Sequence, residues 1–321
     1  RYLGIRRLML GRTASGLFWL FRYLERMENT ARLINAAQWM SLTRMNASDS
    51  DWLSVLNTVG AADAFTAQHK EVTKANVIDW LLRSSDYPSS LINCMNAVQF
   101  NGKSVRTAIT EEVWEAINAG HIDLNAQLKT RVSESSLNAL LSDVRDIVSL
   151  IQGMAHSTML RNEIFQFMSI GTHIERTDCT LRLLDVKYYV LLPSVSPVGS
   201  VLDNVQWETI LRSVSSLGGM KMTYGEQFSA PEIIDYLVLN GKMPRSLSYC
   251  LMKVSNSLRK LSTPGRRNTD SMMQAKHLAN YYLSVPVDSI FEYGLHEFLQ
   301  KLLVLNSELS DQIAKDYRFY D

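Results

Sequence analysis

The chain has 321 residues, of which 46% are hydrophobic, and its 33 basic residues nearly balance 32 acidic ones. A chain of this size can bury a full core, and the near-zero net charge argues against a surface dedicated to nucleic acid. Its three cysteines lie far apart and form no CxxC or Cys/His pair, so neither a disulfide framework nor a structural zinc site is indicated.

Apolar residues recur at three- and four-residue steps along almost the whole chain, while glycine, proline and alternating β-branched residues are scarce. This periodicity predicts an all-α fold. A first long helix is predicted from a cap at Thr13 or Ser15 to about Met45. The next predicted helices follow Ser50-Asp51, cover residues 75–82, start near Pro88-Ser89, and follow an N-cap at Thr110.

The second half of the chain has the same helical character, interrupted by polar and proline-containing stretches. Residues 120–129 are predicted to form a loop, and residues 193–200 a linker. Helices are predicted over 135–151, about 158–192, 203–217, 231–239, from Pro244, and over 271–283 and 288–317. Gly218-Gly219 is expected to end one of them, and residues 263–270 form a predicted basic loop.

The first long helix carries a charged stripe beside its apolar face. Arg22, Glu25, Glu28 and Arg32 are spaced so that acids and guanidinium groups follow one line along the helix. About 150 residues later the pattern returns, with Glu25-Arg26, Glu28 and Arg32 matched by Glu175-Arg176, Asp178 and Arg182. A packed helix must pair such charges, so the two stripes are expected to meet in one central polar cluster.

Further landmarks repeat at a similar offset, including Pro88 with Pro244 and Cys94 with Cys250. The sequence therefore predicts one all-helical domain over residues 1–321. It would contain internal repeats at about 12–119 and 158–262, with C-terminal helices at 271–317. The two halves would pack near a pseudo-two-fold axis, as a bundle with long central helices. Cys94 and Cys250 are predicted to be buried thiols.

The segment MLGRTASGLFWLFRYLERMENTARLI (residues 9–34) resembles the opening signature of the alpha-E family, bacterial all-helical proteins named for a Glu-Arg motif. The resemblance continues almost to the end of the chain. It includes Asp86-Tyr-Pro-Ser-Ser-Leu91, Asn101, Arg106, Glu112-Val-Trp-Glu-Ala-Ile-Asn118, Thr158-Met-Leu-Arg161, Ile174-Glu-Arg176, Asp185-Val-Lys-Tyr188 and Pro244-Arg-Ser-Leu247. The chain departs from the family at residues 98–103, where a common Ala-Arg-Glu-Asn-Ala-Arg run reads Val-Gln-Phe-Asn-Gly-Lys.

The resemblance also implies partners. Alpha-E proteins are typically encoded beside, or fused to, circularly permuted ATP-grasp proteins and transglutaminase-like proteins. The family is therefore thought to serve peptide synthesis or peptide modification. This chain is accordingly expected to be a helical subunit or partner of an ATP-grasp-type ligase, and also of a transglutaminase-like protein.

The charged residues allow two interpretations. The candidate cluster comprises Glu25, Arg26, Glu28, Arg32, Arg161, Glu175, Arg176 and Arg182. If the cluster is a functional site, its guanidinium groups would bind a carboxylate or phosphate, and Glu25 and Glu175 would act as acid/base or orienting groups. As a structural network, it would only fix how the two halves register.

Three functions stay open from the sequence alone: a non-catalytic subunit of a ligase system, an enzyme that uses the Glu/Arg cluster on a peptide or amino acid, and a scaffold that binds an anionic metabolite or peptide. The dispersed histidines show no metal-ligand spacing, and no phosphate-binding glycine loop is present, so neither metal nor cofactor is predicted. No membrane span or signal peptide is predicted, and the thiols favour a cytoplasmic location. A homo-oligomer is left open.

Overall fold

The computed structural model describes residues 11–42, 49–191, 201–262, 269–281 and 284–320. Within these ranges the chain forms fifteen α-helices and no strand, which confirms the all-α prediction. The predicted linker at 193–200 and most of the basic loop at 263–270 lie outside the described residues. None of the described helices combines the length and apolar character needed to cross a lipid bilayer.

Two long helices, α1 (Gly11–Leu42) and α8 (Glu163–Leu191), pack along each other at the centre of the fold. The apolar face of α1 is fully buried, including Leu17, Leu24 and Ile34. The two backbones approach closely at Gly171, where a Cβ atom would overlap the carbonyl oxygen of Phe18. Thr13 and Ser15 lie inside α1, so neither caps it as predicted.

The helices that follow α1 are α2 (Asp49–Thr58), α3 (Ala62–Thr66), α4 (Lys74–Arg83), α5 (Leu91–Ser104), α6 (Glu111–Gln127) and α7 (Glu134–Thr158). Both α5 and α7 lie against α1, and α6 bridges them. The side chains of Thr73, Ser90 and Ser133 accept hydrogen bonds from backbone N–H groups at the starts of α4, α5 and α7.

The helices that follow α8 are α9 (Val201–Ser213), α10 (Leu217–Tyr224), α11 (Ala230–Ile234), α12 (Leu247–Leu261), α13 (Asp270–Tyr281), α14 (Val287–Tyr293) and α15 (Leu295–Asp316). A π-helical turn, Asp235–Leu239, continues α11. Helices α12 and α15 lie against α8, and α13 contacts both. The short helices cross over, since α2 packs on α8 and α9 packs on α1.

The predicted loop at residues 120–129 was wrong for most of its length, because α6 continues to Gln127. Ile117, Gly120 and Leu124 continue its buried face at helical spacing. A Cβ at Gly120 would overlap the Ile147 side chain, so the glycine permits close packing on α7. Buried apolar spacing outweighed the local polarity from which the loop was predicted.

Other predicted boundaries also shift. Gly218 and Gly219 lie within α10, and the chain turns instead at Ser215, which has a φ of 53°. The final predicted helix is two helices, because Gly294 adopts a φ of 107° between them. Helices α5 and α12 begin three residues after Pro88 and Pro244, once Ser90 and Ser246 have capped them.

Helix contacts in the two parts of the chain follow the same order. Helix α1 packs on α5 and α7, and α8 packs on α12 and α15. Cys94 on α5 and Cys250 on α12 are both fully buried. The internal duplication itself stays a prediction, and superposition of residues 14–100 onto 163–256 is its direct test.

Candidate functional site

A cluster of buried charges lies where α1 and α8 pack together. The Glu25 and Glu175 carboxylates have 0% and 3% of their side-chain surface exposed. Arg26 donates to Glu175 through Nε at 2.6 Å and Nη2 at 3.0 Å, and Arg176 donates to Glu25 in return. Each Glu-Arg dipeptide thus neutralises the other across the helix interface.

Both carboxylates receive further donors from other parts of the fold. Arg22, one turn before Arg26 on α1, donates through Nε to Glu175 at 2.7 Å. Gln152 of α7 donates to Glu25 at 2.9 Å. Arg245, in the segment before α12, lies 3.5 Å from Glu25 Oε2 and donates to Glu28 Oε1 at 2.7 Å. The buried acceptor oxygens are therefore paired, as burial of a charge requires.

Two outer arginines connect the cluster to the ends of the crossing helices. Arg32 pairs with Glu28 and donates to the carbonyl oxygen of Ser213, the last residue of α9, at 2.9 Å. Arg182 pairs with Asp178 and donates to the carbonyl oxygen of Thr58, the last residue of α2, also at 2.9 Å. A guanidinium at a helix C-terminus satisfies carbonyl groups that the helix leaves unpaired.

The electrostatics of the cluster hold both glutamates in their charged form. Burial by itself would raise the pKa of Glu25, but the adjacent Arg176 and Arg245 outweigh it and lower that pKa to about 2. Burial likewise opposes ionisation of Glu175, and Arg22 and Arg26 lower its pKa to about 2. At neutral pH the two carboxylates are permanently ionised partners of guanidinium groups, and neither is suited to accept a proton.

Nearby nucleophiles and bases are suppressed in the same way. Burial raises the pKa of the Cys94 and Cys250 thiols to about 12, and it raises that of Cys179 well above the ordinary value. His173 is buried and its Nδ1 lies 2.7 Å from the Ser169 carbonyl oxygen. Burial, with Arg176 nearby, lowers the pKa of His173 to about 4. These groups are inert at neutral pH.

Seven of the eight residues predicted for the cluster lie in it, and Arg161 does not. Arg161 sits at the turn between α7 and α8, where it is exposed and donates to the carbonyl oxygens of His156 and Met159. Its guanidinium lies over the Phe165 ring at 4.0 Å. Arg161 stays outside the cluster because it lies two residues before α8 begins, away from the Glu-Arg pairs inside that helix.

Gln152 and Arg245 were missing from the sequence prediction, while Arg22 and Asp178 stood on the predicted charged stripes but outside the candidate cluster. Arg22 carried a usable signal, since it stands on the same helical stripe as Glu25. Arg245 carried a weaker one, because it lies in the Pro244-Arg-Ser-Leu247 stretch where the first half reads Pro88-Ser-Ser-Leu91. Gln152 gave no signal, since nothing in the sequence places α7 beside Glu25.

A cavity of about 380 Å³ opens beside the Glu175 side of the cluster. Its charged walls are formed by Arg22, Arg26, Arg182, Glu175, Asp178 and Asp311. Trp19, Tyr87, Ser89 and Asn306 are among its other lining residues. Among the described residues, no group of three or more histidine, cysteine, aspartate or glutamate side chains is arranged to hold a metal ion. The arrangement favours recognition of a polar group over proton transfer.

Comparisons with known proteins agree with this architecture. An uncharacterized protein of Mycobacterium bovis and one of Mycobacterium tuberculosis are each 23% identical to the chain over 270 residues. The alignment covers 78% of this chain but only 30% of either relative, so the chain spans under a third of their length. No solved structure matches the chain significantly. Residues 9–318 match the Alpha-E family, described as a predicted alpha-helical domain with a conserved ER motif. With two Glu-Arg pairs joined across its central helices, the chain belongs to the Alpha-E family.

Proposed function

We propose that this chain is a non-catalytic helical subunit of an ATP-grasp-type peptide-synthesis or peptide-modification system, in which the Glu-Arg cluster fixes the register of α1 on α8. The partner enzyme supplies the ATP-dependent formation of the bond between a carboxylate and an amine. The helical chain supplies a rigid surface and a polar cavity beside it. Family membership supports the association with such a system, because Alpha-E proteins typically occur with ATP-grasp proteins.

The observation that carries the non-catalytic role is the reciprocal pairing of Arg26 with Glu175 and of Arg176 with Glu25. Both carboxylates are saturated with donors and have pKa values of about 2. A general base works best when its pKa lies near the working pH, and these groups lie far below it. Removal of one partner leaves a buried guanidinium uncompensated, which costs about 3–5 kcal/mol of folding stability.

The direct test co-expresses the chain with an ATP-grasp-type protein encoded beside its gene. We expect the two to co-purify, and we expect ATP-dependent ligase activity from the complex but none from the helical chain alone. Glu25→Gln should lower both the melting temperature and the activity of the complex. The activity should recover at temperatures where the variant is fully folded, because the cluster acts through the fold.

Asp143→Asn is the matched control, since Asp143 of α7 accepts one hydrogen bond from Gln127 and takes no part in the cluster. It should leave melting temperature and activity unchanged. Turnover of a peptide or amino acid by the isolated chain would contradict the proposal. So would a folded Glu25→Gln variant with an unchanged melting temperature and no activity, because that result would make Glu25 a reacting group.

A further inference from the structure

The cavity beside Glu175 has a counterpart on the other side of the cluster that is already filled by an arginine. Arg245 and Ser89 stand at the same local position, each between a proline and the serine that caps the next helix. Arg245 reaches Glu25 and Glu28 on α1. The Ser89 hydroxyl is too short to reach the corresponding carboxylates on α8 and instead accepts from Arg26 Nη1 at 3.1 Å.

The consequence is visible at the two carboxylates that follow the Glu-Arg pairs. Glu28 receives hydrogen bonds from both Arg32 and Arg245, and 6% of its side chain is exposed. Among the residues that the structure describes, Asp178 receives them only from Arg182, and 22% of its side chain is exposed. Asp178 therefore faces the cavity with acceptor capacity that Glu28 has already used.

The remaining lining residues add hydrogen-bond acceptors to the cavity, and each arginine in the lining already donates to a carboxylate. Among the described residues, no ion pair or hydrogen bond engages the Asp311 carboxylate of α15. Asn306, 4% exposed, donates to the Ile174 carbonyl, and its Oδ1 lacks a partner among the described residues. The guanidinium groups of Arg22, Arg26 and Arg182 all donate to Glu175 or Asp178.

From this imbalance we infer that the cavity is a binding site for a guanidinium-bearing ligand, such as arginine or an arginyl side chain. The ligand would bind Asp178 as the Arg245 guanidinium binds Glu28 on the other side. Asp178 and Asp311 would accept its N–H groups, and Trp19 and Tyr87 would provide aromatic walls of the kind on which guanidinium groups stack. An anion is disfavoured, since Glu175, Asp178 and Asp311 together balance the charge of the three arginines and each of those arginines already donates to Glu175 or Asp178. The inference goes beyond the proposed subunit role and does not depend on a ligase partner.

Isothermal titration calorimetry of the intact chain with agmatine tests this inference, with phosphate and glutamate as anionic comparisons. We expect saturable 1:1 binding of agmatine and no saturable binding of either anion. Asp311→Asn should weaken agmatine binding about tenfold, because one charge-assisted hydrogen bond is lost. Asp311 lies outside the ion-pair cluster, so this variant should fold normally.

The variant Ser89→Arg provides a second test. Its new guanidinium group would occupy the cavity in place of the ligand. It should abolish agmatine binding and raise the melting temperature. Ser157→Arg, which adds the same side chain on an exposed position of α7, should leave both unchanged. If agmatine fails to bind, or if phosphate or glutamate binds instead, the inference is wrong. Retained agmatine affinity in a folded Asp311→Asn protein would also overturn it. Neither result bears on co-purification with a ligase, so the two proposals fail separately.

Discussion

At the residue scale, charge placement in this protein is governed by burial. Glu25 and Glu175 lie in the core, where an isolated carboxylate would protonate, and paired guanidinium groups keep them ionised. His173 lies one turn from Arg176, and burial together with that guanidinium lowers its pKa to about 4 and holds it neutral. Within the same low-dielectric interior, Glu25 and Glu175 are therefore charged and His173 is neutral, because the neighbouring groups differ.

These shifts predict a two-stage loss of stability in acid. The pKa of His173 is about 4 in the folded chain against 6.5 ordinarily, so the unfolded state binds a proton first as the pH falls below 6.5. Stability should decline between pH 6.5 and 4, with a limiting slope of about 1.4 kcal/mol per pH unit for one proton. Glu25 and Glu175, with pKa values lowered from 4.5 to about 2, should add a steeper decline below pH 4.5.

Urea denaturation at a series of pH values measures both stages. His173→Gln should reduce the decline between pH 6.5 and 4.5 and leave the steeper stage below it. The remaining decline in that range is assigned to His156, whose pKa is also lowered by burial and by Arg161. His121→Gln, a substitution on the outer part of α6, serves as the control and should keep both stages. A wild-type stability that stays flat from pH 6.5 to 4.5 would show that His173 does not titrate as described.

At the element scale, the α1–α8 contact depends on glycine as much as on charge. Gly171 allows the α8 backbone to lie directly against the backbone of Phe18, which brings the two Glu-Arg pairs within hydrogen-bonding distance. Gly153, on an exposed part of α7, meets no atom within 4 Å and has no such role. Substitution at Gly171 therefore tests close helix packing, whereas substitution at Gly153 tests only helix propensity.

Gly171→Ala should destabilise the protein by about 1–3 kcal/mol or more, because the added methyl group meets backbone atoms that cannot rotate away. Gly153→Ala should stabilise it by about 0.5–1 kcal/mol, as expected for alanine in place of glycine in a helix interior. Guanidinium denaturation of the two variants beside the wild type measures both changes. Equal effects of the two substitutions would contradict the close approach of α1 and α8.

At the scale of the whole molecule, α2 packs on α8 and α9 packs on α1, and the two parts of the chain share one continuous hydrophobic core. Arg32 and Arg182 also join the two parts of the chain. Arg32 of α1 donates to the last residue of α9, and Arg182 of α8 donates to the last residue of α2. Interfaces of this kind join elements into one cooperative unit. The two parts of the chain should therefore unfold together.

Differential scanning calorimetry should show one transition for the wild type. Glu25→Gln should move that transition to a lower temperature without splitting it, because the lost ion pair belongs to the interface that joins the two parts. Gly153→Ala again serves as a control that leaves the shape of the transition unchanged. Two separate transitions in the wild type would mean that the parts are independent domains.

The amino-acid sequence alone was enough to predict the helical class, the two charged stripes, the burial of Cys94 and Cys250, and the family resemblance. All four depend on local periodicity or on residue identity, and both can be read from a single amino-acid sequence. It also indicated that the stripes must be paired, because apolar residues flank them and an unpaired buried charge is costly.

The partners that complete the cluster could be identified only from the packing of the helices. Arg245 lies 220 residues from Glu25 and 217 from Glu28, and no local pattern fixes a contact over that separation. The same limit explains why residues 120–127 were predicted as loop, since the close packing of Gly120 on Ile147 of α7 exists only in the folded chain. The cavity beside Ser89 could not be predicted from the sequence either. It forms because the short Ser89 side chain lies near the carboxylates of Glu175 and Asp178, which α8 contributes through tertiary packing.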